Sequence, residues 1–361
     1  MTPGTGTALF GRAPDFFLLG PGFTLLVTGL FAALAALGGG EVAGSLALAL
    51  GLLFVGPHYA ATYRRAFTSR EILRAHPVVT LLVPLVLVAA AAAAVAWPGT
   101  VGVAFFAAYV IWSGYHYSGQ SLGLAMLYPL RQGVRLDAAE KRLVALPLYA
   151  SWLLSLLGLF RLEVAARNPA YLLTRQALFR ASLPAWALVA AAAAVGASLS
   201  SVAILARRRR RRGIPLPGGV WAVVLTQVAW FSIGLWNPFF NIVLVPIFHG
   251  AQYLAITSWH QTRGRTGWVF AFYLLTVVAL GMIINPGLMV LGRKLGGEGV
   301  VVAAAVLSFI NLHHFLMDGR IWRLRDRRVA AGFAVTLPTP ESVVTTASAS
   351  TTAEATSTAK E

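Results

Sequence analysis

An all-α, polytopic transmembrane helical bundle is the fold this sequence predicts, and three observations carry it. Of its 361 residues, 58% are hydrophobic and only 11% charged, where a soluble domain carries roughly 25% charged residues. Apolar runs of about 20 residues, the length that crosses a bilayer core as a helix, recur from end to end. These Ala/Leu/Val runs do not alternate polar with apolar, which excludes a transmembrane β-barrel.

About ten spans are expected. The first, 16–38, follows a polar head with Arg12 and Asp15; its apolar run exceeds the roughly 7–15 residues of a secretory signal core, so it reads as a span. Spans 43–63 and 78–97 flank a basic loop that also holds His76. Trp97-Pro98-Gly99 makes a tight link to span 101–128. Span 143–160 is followed by a polar, amphipathic segment, 161–182, expected on the membrane surface. Span 183–206 runs into the six arginines 207–212. Spans 220–236 and 238–260 meet at Trp236-Asn237-Pro238, and 267–291 and 299–318 complete the set. Residues 1–336 thus form one transmembrane helical domain. From 337 the chain is rich in Thr, Ser and Ala, contains Pro338 and Pro340, cannot bury a core and is expected to be disordered.

Charge fixes an orientation. With the N-terminus inside, the cytoplasmic segments hold Arg12; Arg64, Arg65, Arg70 and Arg74; Arg131, Arg135, Lys141 and Arg142; Arg207 to Arg212; Arg263 and Arg265. After the last span they hold Arg320, Arg323, Arg325, Arg327, Arg328 and Lys360. That is 23 of the 29 basic residues, leaving six outside, a strong positive-inside bias with both termini cytoplasmic. An integral protein of a bacterial inner membrane is expected. The net charge of +17 is therefore topological, and the arginine run reads as a stop-transfer loop on anionic lipid rather than a nucleic-acid site. The absence of cysteine removes disulfides, iron–sulfur clusters, thiolate haem and cysteine nucleophiles.

Four polar islands interrupt the apolar chain: GPHYAATYRR with His58, WSGYHYSGQS with His116, FHGAQYLAITSWH with His249 and His260, and NLHHFLMDGRIWR with His313 and His314. They hold six of the seven histidines. An imidazole inside an apolar span must find a partner or lose its charge. The islands fall on spans 2, 4, 8 and 10, which all run from outside to inside, so the histidines share the cytoplasmic half of the bundle. A shared metal ion is the partner this pattern points to.

Spacing sorts the candidates. His249 and His260, eleven residues apart, fall on one helical face but about 16 Å apart, too far for one ion; His249 is the deeper, and His260 beside Trp259 also reads as interfacial. His313 and His314 diverge by about 100°, so one of them faces the site. Asp318 is the only carboxylate bordering an island, and reads as a ligand, as the acceptor that orients a ligand imidazole, or as a partner of Arg320 or Arg323. Thr62 and Gln120 lie one turn after His58 and His116, and Tyr253 one turn after His249; these can support a ligand or line a substrate or oxygen pocket. Imidazoles with few carboxylates and an open position suit non-haem Fe(II) acting with dioxygen, and secondarily Zn(II); nothing thioether-rich argues for copper.

At these islands the chain resembles the Brp/Blh family of membrane β-carotene 15,15′-dioxygenases. The matching positions are Pro57-His58 with Thr62, His116-Tyr117-Ser118-Gly119, Phe248-His249 with Tyr253, and His313 with Asp318 and then Arg320. The resemblance covers about 50 residues in four patches. It implies a helical bundle holding one non-haem iron on histidines, and cleavage of a carotenoid by dioxygen. Thr62, Gln120-Ser121 and Tyr253 stand where the family carries two acids and a second histidine, and His260 and His314 are additions.

The expected function is an integral-membrane non-haem iron oxygenase acting on a lipid-soluble substrate, a carotenoid, other isoprenoid or acyl chain. His58, His116, His249 and His313 would hold iron, with His314 and Asp318 supporting the shell. Three alternatives stay open: a diiron desaturase or hydroxylase that also uses His260, a bis-histidine b-haem carrier, and a transporter or assembly subunit without metal. A homo-oligomer is compatible with all of them.

Overall fold

The computed structural model describes residues 8–161, 184–233, 240–262, 265, 267–294 and 296–333. Among them every regular element is helical. Ten long helices follow in order: α1 (Pro21–Ala36), α2 (Gly40–Thr68), α3 (Val78–Ala96), α4 (Val103–Arg131), α5 (Ala138–Arg161), α6 (Ala185–Arg211), α7 (Gly218–Ile233), α8 (Phe240–Thr262), α9 (Trp268–Lys294) and α10 (Gly296–Ile321). A short α11 (Arg327–Gly332) closes the described chain. Each long helix overlaps one of the ten expected spans.

Five of these helices are long and apolar enough to cross a membrane alone: α2, α3, α6, α8 and the Gly299–Ile321 part of α10. A sixth is added if the turn Arg12–Leu19 and α1, bent by 50° at Gly20, make one span. The others fall short for local reasons. In α4 the island around His116 breaks the apolar run, while α7 and the apolar part of α9, Trp268–Ile284, are shorter. The link at 97–99 is itself helical, a π-turn over Pro98–Gly102 leading into α4. The expected surface segment 161–182 lies outside the described residues from 162 on, as do the 236–238 link and the tail from 337.

The side chains are arranged as lipid demands. Leu25, Leu85, Val189, Phe272 and Ile283 stand exposed on the outside, while Ser118, Gln227, Asn311, His249 and His314 are buried. Polar groups within a bilayer are costly unless they face the bundle interior. The central element is α8, which buries about two thirds of its span. Gln252 on it donates to the Leu19 carbonyl at 2.8 Å, and its neighbour α7 is tied to α1 where Trp230 Nε1 donates to Thr24 Oγ1 at 2.7 Å.

Two glycines let α2 approach its neighbours closely enough to place His58. A Cβ on Gly281 of α9 would lie 2.2 Å from the Pro57 nitrogen, and one on Gly250 of α8 would lie 2.6 Å from the Phe54 carbonyl oxygen. Small residues permit this backbone contact where bulkier ones would hold the helices apart. Gly281→Ala is expected to force α9 off α2 at a cost of about 1–3 kcal/mol. Thermal unfolding in detergent should show a lower midpoint, and an unchanged one would mean that the contact is not tight.

At the far end of α6 the sequence reading is refined. Arg209, within the arginine run, is buried and its Nη1 donates to both carboxylate oxygens of Glu140 on α5, at 2.7 and 2.8 Å. Its neighbours Arg207, Arg208, Arg210, Arg211 and Arg212 are exposed.

Candidate metal centre

Four helices each deliver one imidazole to a common point: His58 from α2, His116 from α4, His249 from α8 and His314 from α10. Their rings form a closed circuit. Centroids are 5.2 Å apart for His58–His249, 5.1 Å for His249–His116, 5.0 Å for His116–His314 and 4.8 Å for His314–His58. Adjacent rings meet at interplanar angles between 68° and 86°, presenting edges inward rather than stacking.

The donor set fits a metal ion. Neither ring nitrogen of His249 or His314 has a hydrogen-bond partner among the described residues, nor does Nε2 of His116. Leaving several buried imidazoles unpaired is costly, and an ion would take one nitrogen from each ring that binds it. Within the cluster, His58, His249 and His314 place one ligand atom each within 4.8 Å of the others, as do His116, His314 and Asp318. With metal–nitrogen bonds of about 2.1 Å, rings around one ion would have centroids about 4.5–5.2 Å apart, the range seen here.

Asp318 is held in place from the other side. Thr62 Oγ1 and the Tyr253 hydroxyl, 2.5 Å from each other, lie 3.0 and 2.9 Å from Asp318 Oδ1. Trp322 Nε1 donates to the Tyr253 hydroxyl at 2.9 Å. Each hydroxyl has a single proton, so with Tyr253 donating to the carboxylate, the Thr62 proton is free for either oxygen beside it. Held at Oδ1, the carboxylate turns Oδ2 to His314 Nε2 at 3.5 Å and His116 Nε2 at 3.9 Å. The Arg65 guanidinium lies over the Trp322 ring, 3.9 Å from its centroid, and supports the indole. Tyr253→Phe removes the tie between Asp318 and Trp322, and metal affinity is expected to fall about 10–100-fold, as for other losses behind a ligand. Metal titration of the stripped protein checks this; unchanged affinity would remove Tyr253 from the site.

The predicted residues divide. His58, His116, His249, His314, Asp318 and Tyr253 come together. His313, expected as the ligand on its helix, does not: its Nε2 lies 3.0 Å from the Val79 carbonyl oxygen and its Nδ1 3.3 Å from the Tyr63 hydroxyl, with its ring stacked on Tyr63. The place on α10 belongs to His314. His260 is also outside the cluster, with Nδ1 2.7 Å from Arg65 Nη1 and its ring packed against Trp322 and Phe333. Thr62 supports the carboxylate rather than an imidazole. Gln120 reaches the His249 carbonyl with Nε2 at 3.4 Å, and its Oε1 makes no hydrogen bond among the described residues.

Other contributors escaped the sequence reading. Phe315 stacks on His116 at 4.4 Å, and Asn311 accepts from the Tyr59 hydroxyl at 2.7 Å beside His58; Tyr117, one of the tyrosines that crowd the islands, lies 4.3 Å from His249. Trp322 could have been found, because it stands one helical turn after Asp318.

A groove of about 660 Å³ leads to the cluster. Its walls include His116, Asp318, Tyr253 and Gln120, but not His58, His249 or His314. The cluster therefore has a closed side of three buried imidazoles and an accessible side formed by His116 and Asp318. No known protein family, no curated protein and no solved structure matches this chain.

Proposed function

We propose that this protein is an integral-membrane non-haem iron oxygenase acting on a lipid-soluble substrate, with about ten membrane crossings and cytoplasmic termini in a bacterial inner membrane. The observation that carries the reading is the set of buried imidazoles on four separate helices, with ring nitrogens unpaired and one accessible side facing a groove. Fold-level likeness does not enter the argument.

In this reading His58, His249 and His314 hold the ion from the closed side, and His116 and Asp318 bound the position where reactants arrive. Neutral imidazoles are the form that ligates, and burial in the bundle favours that form. Ferrous iron held there would supply dioxygen activation, and zinc would instead supply water activation. Asp318, fixed by Thr62 and Tyr253, orients the imidazoles of His314 and His116 and keeps an acceptor facing the groove. Phe315 and Trp322 line the groove beside His116 and Asp318.

A second reading, in which two ions are held as in a diiron hydroxylase, would have to divide the two ligand sets, because the neutral imidazole of His314, common to both, can give its lone pair to one ion only. Metal analysis of the detergent-purified protein with an optical spectrum separates the possibilities. One iron per chain without a Soret band is the expected result. Two irons would establish the dinuclear reading, a Soret band would replace both with haem, and metal-free folded protein never exposed to chelator would remove the enzyme.

A further inference from the structure

The groove that reaches His116 and Asp318 is lined by both apolar and basic side chains. Leu124, Leu127, Ile256 and Phe315 contribute to its walls, while Lys141 at the start of α5, and Arg323 and Arg325 just beyond α10, also line it. None of these three cations pairs with a carboxylate among the described residues, whereas Arg209 pairs with Glu140 and Arg328 with Glu71. Nε of Arg323 donates to the Gly319 carbonyl at 3.2 Å, which aims the side chain. Desolvation, then the charges of Arg325 and Arg320, lower the pKa of Arg323 from its ordinary value, as expected where like charges gather without a counter-ion. The positive-inside rule explains why basic residues follow α10. It does not explain why three of them line a groove that leads to unpaired imidazoles.

Resting on the oxygenase reading, we propose that the substrate is a single-chain acyl anion, its carboxylate held by Lys141, Arg323 and Arg325 and its chain laid along the apolar wall to His116 and Asp318. The charges supply the first half of the argument: three cations along the groove can hold a carboxylate, whereas a neutral hydrocarbon would gain nothing from them. Size supplies the second, since about 660 Å³ suits one ligand of the class that fills pockets of roughly 300–1,000 Å³. Arg323 and Arg325 follow Asp318 by five and seven residues, just past the end of α10 at Ile321, so the head group would be held at that end of the helix. A fixed head presents a fixed carbon. The position of attack should therefore be counted from the carboxyl end, whatever the chain length.

The test is displacement of a fluorescent polyene fatty acid from the full-length, metal-loaded protein in detergent, with iron measured on the same sample. Oleate is expected to compete at least about tenfold better than methyl oleate or β-carotene. In the Arg323→Gln/Arg325→Gln variant that advantage should fall below about threefold. Equal competition by oleate and its methyl ester would overturn the proposal, and so would dioleoyl phosphatidic acid competing as well as oleate, which would make the groove a two-chain lipid site. Iron present with no preference for the acid overturns the substrate class and leaves the oxygenase reading standing. A preference for the acid in protein that binds no iron overturns the oxygenase reading, and with it the role of the acyl anion as substrate.

Discussion

His314→Ala is expected to abolish metal loading, while His313→Ala leaves it intact. The two residues are adjacent, and their fates differ because α10 turns about 100° between them. His314 is fully buried and belongs to both sets of ligand atoms, so its removal subtracts a donor from each. Losing a group behind a ligand costs about 10–100-fold in affinity, and losing the ligand itself should exceed that. His313 instead joins α10 to α3 through the Val79 carbonyl. Its loss should cost about 1 kcal/mol of stability, the size of an interhelical hydrogen bond in a membrane protein. Iron content and thermal midpoint measured on both variants decide the matter. Equal iron in the two would place the metal elsewhere, and the opposite order would return His313 to the site.

Arg209→Ala is expected to be the most damaging change in the arginine run. It leaves Glu140 buried without its cation, and breaking such a pair from one side costs about 3–5 kcal/mol. Substituting exposed Arg208 or Arg210 should stay within about 0.5 kcal/mol. Glu140→Gln combined with Arg209→Met should recover much of the loss, because the stranded charge is then gone. Thermal unfolding in detergent across the four variants checks the pattern. Six equally tolerant arginines would mean that the run serves lipid contact alone.

These two cases show where sequence reading reaches its limit. The four islands, their helical context and the convergence of His58, His116 and His249 were legible, because an imidazole in an apolar run has few other reasons to be there. Helix positions were legible for the same reason, since apolar length and polar breaks fix where a span can lie. Which of His313 and His314 faces inward depends on the rotation of α10 about its axis, and both adjoining faces of that helix are buried. Which arginine of six finds Glu140 depends on how α6 packs on α5, and a run of one residue type carries no phase. The number of crossings stays coarser than expected, at five or six helices apolar enough by themselves, because α7 and the apolar part of α9 are short and the island around His116 interrupts the apolar run of α4. Tyr253 was legible as a neighbour of His249, but its grip on Asp318 was not, because that contact joins residues on separate helices.

The wide spread of the cluster along the chain also constrains how the protein is made. His58 lies on the second long helix and His314 on the tenth, so eight further long helices are begun before the last imidazole emerges. A nascent chain halted before α10 would hold only three of the four rings and would lack Asp318. A metal ion bound by all four rings would therefore have to enter after α10 has docked against α3 and α4. A factor that loads such an ion would act on a bundle in which α10 is already in place.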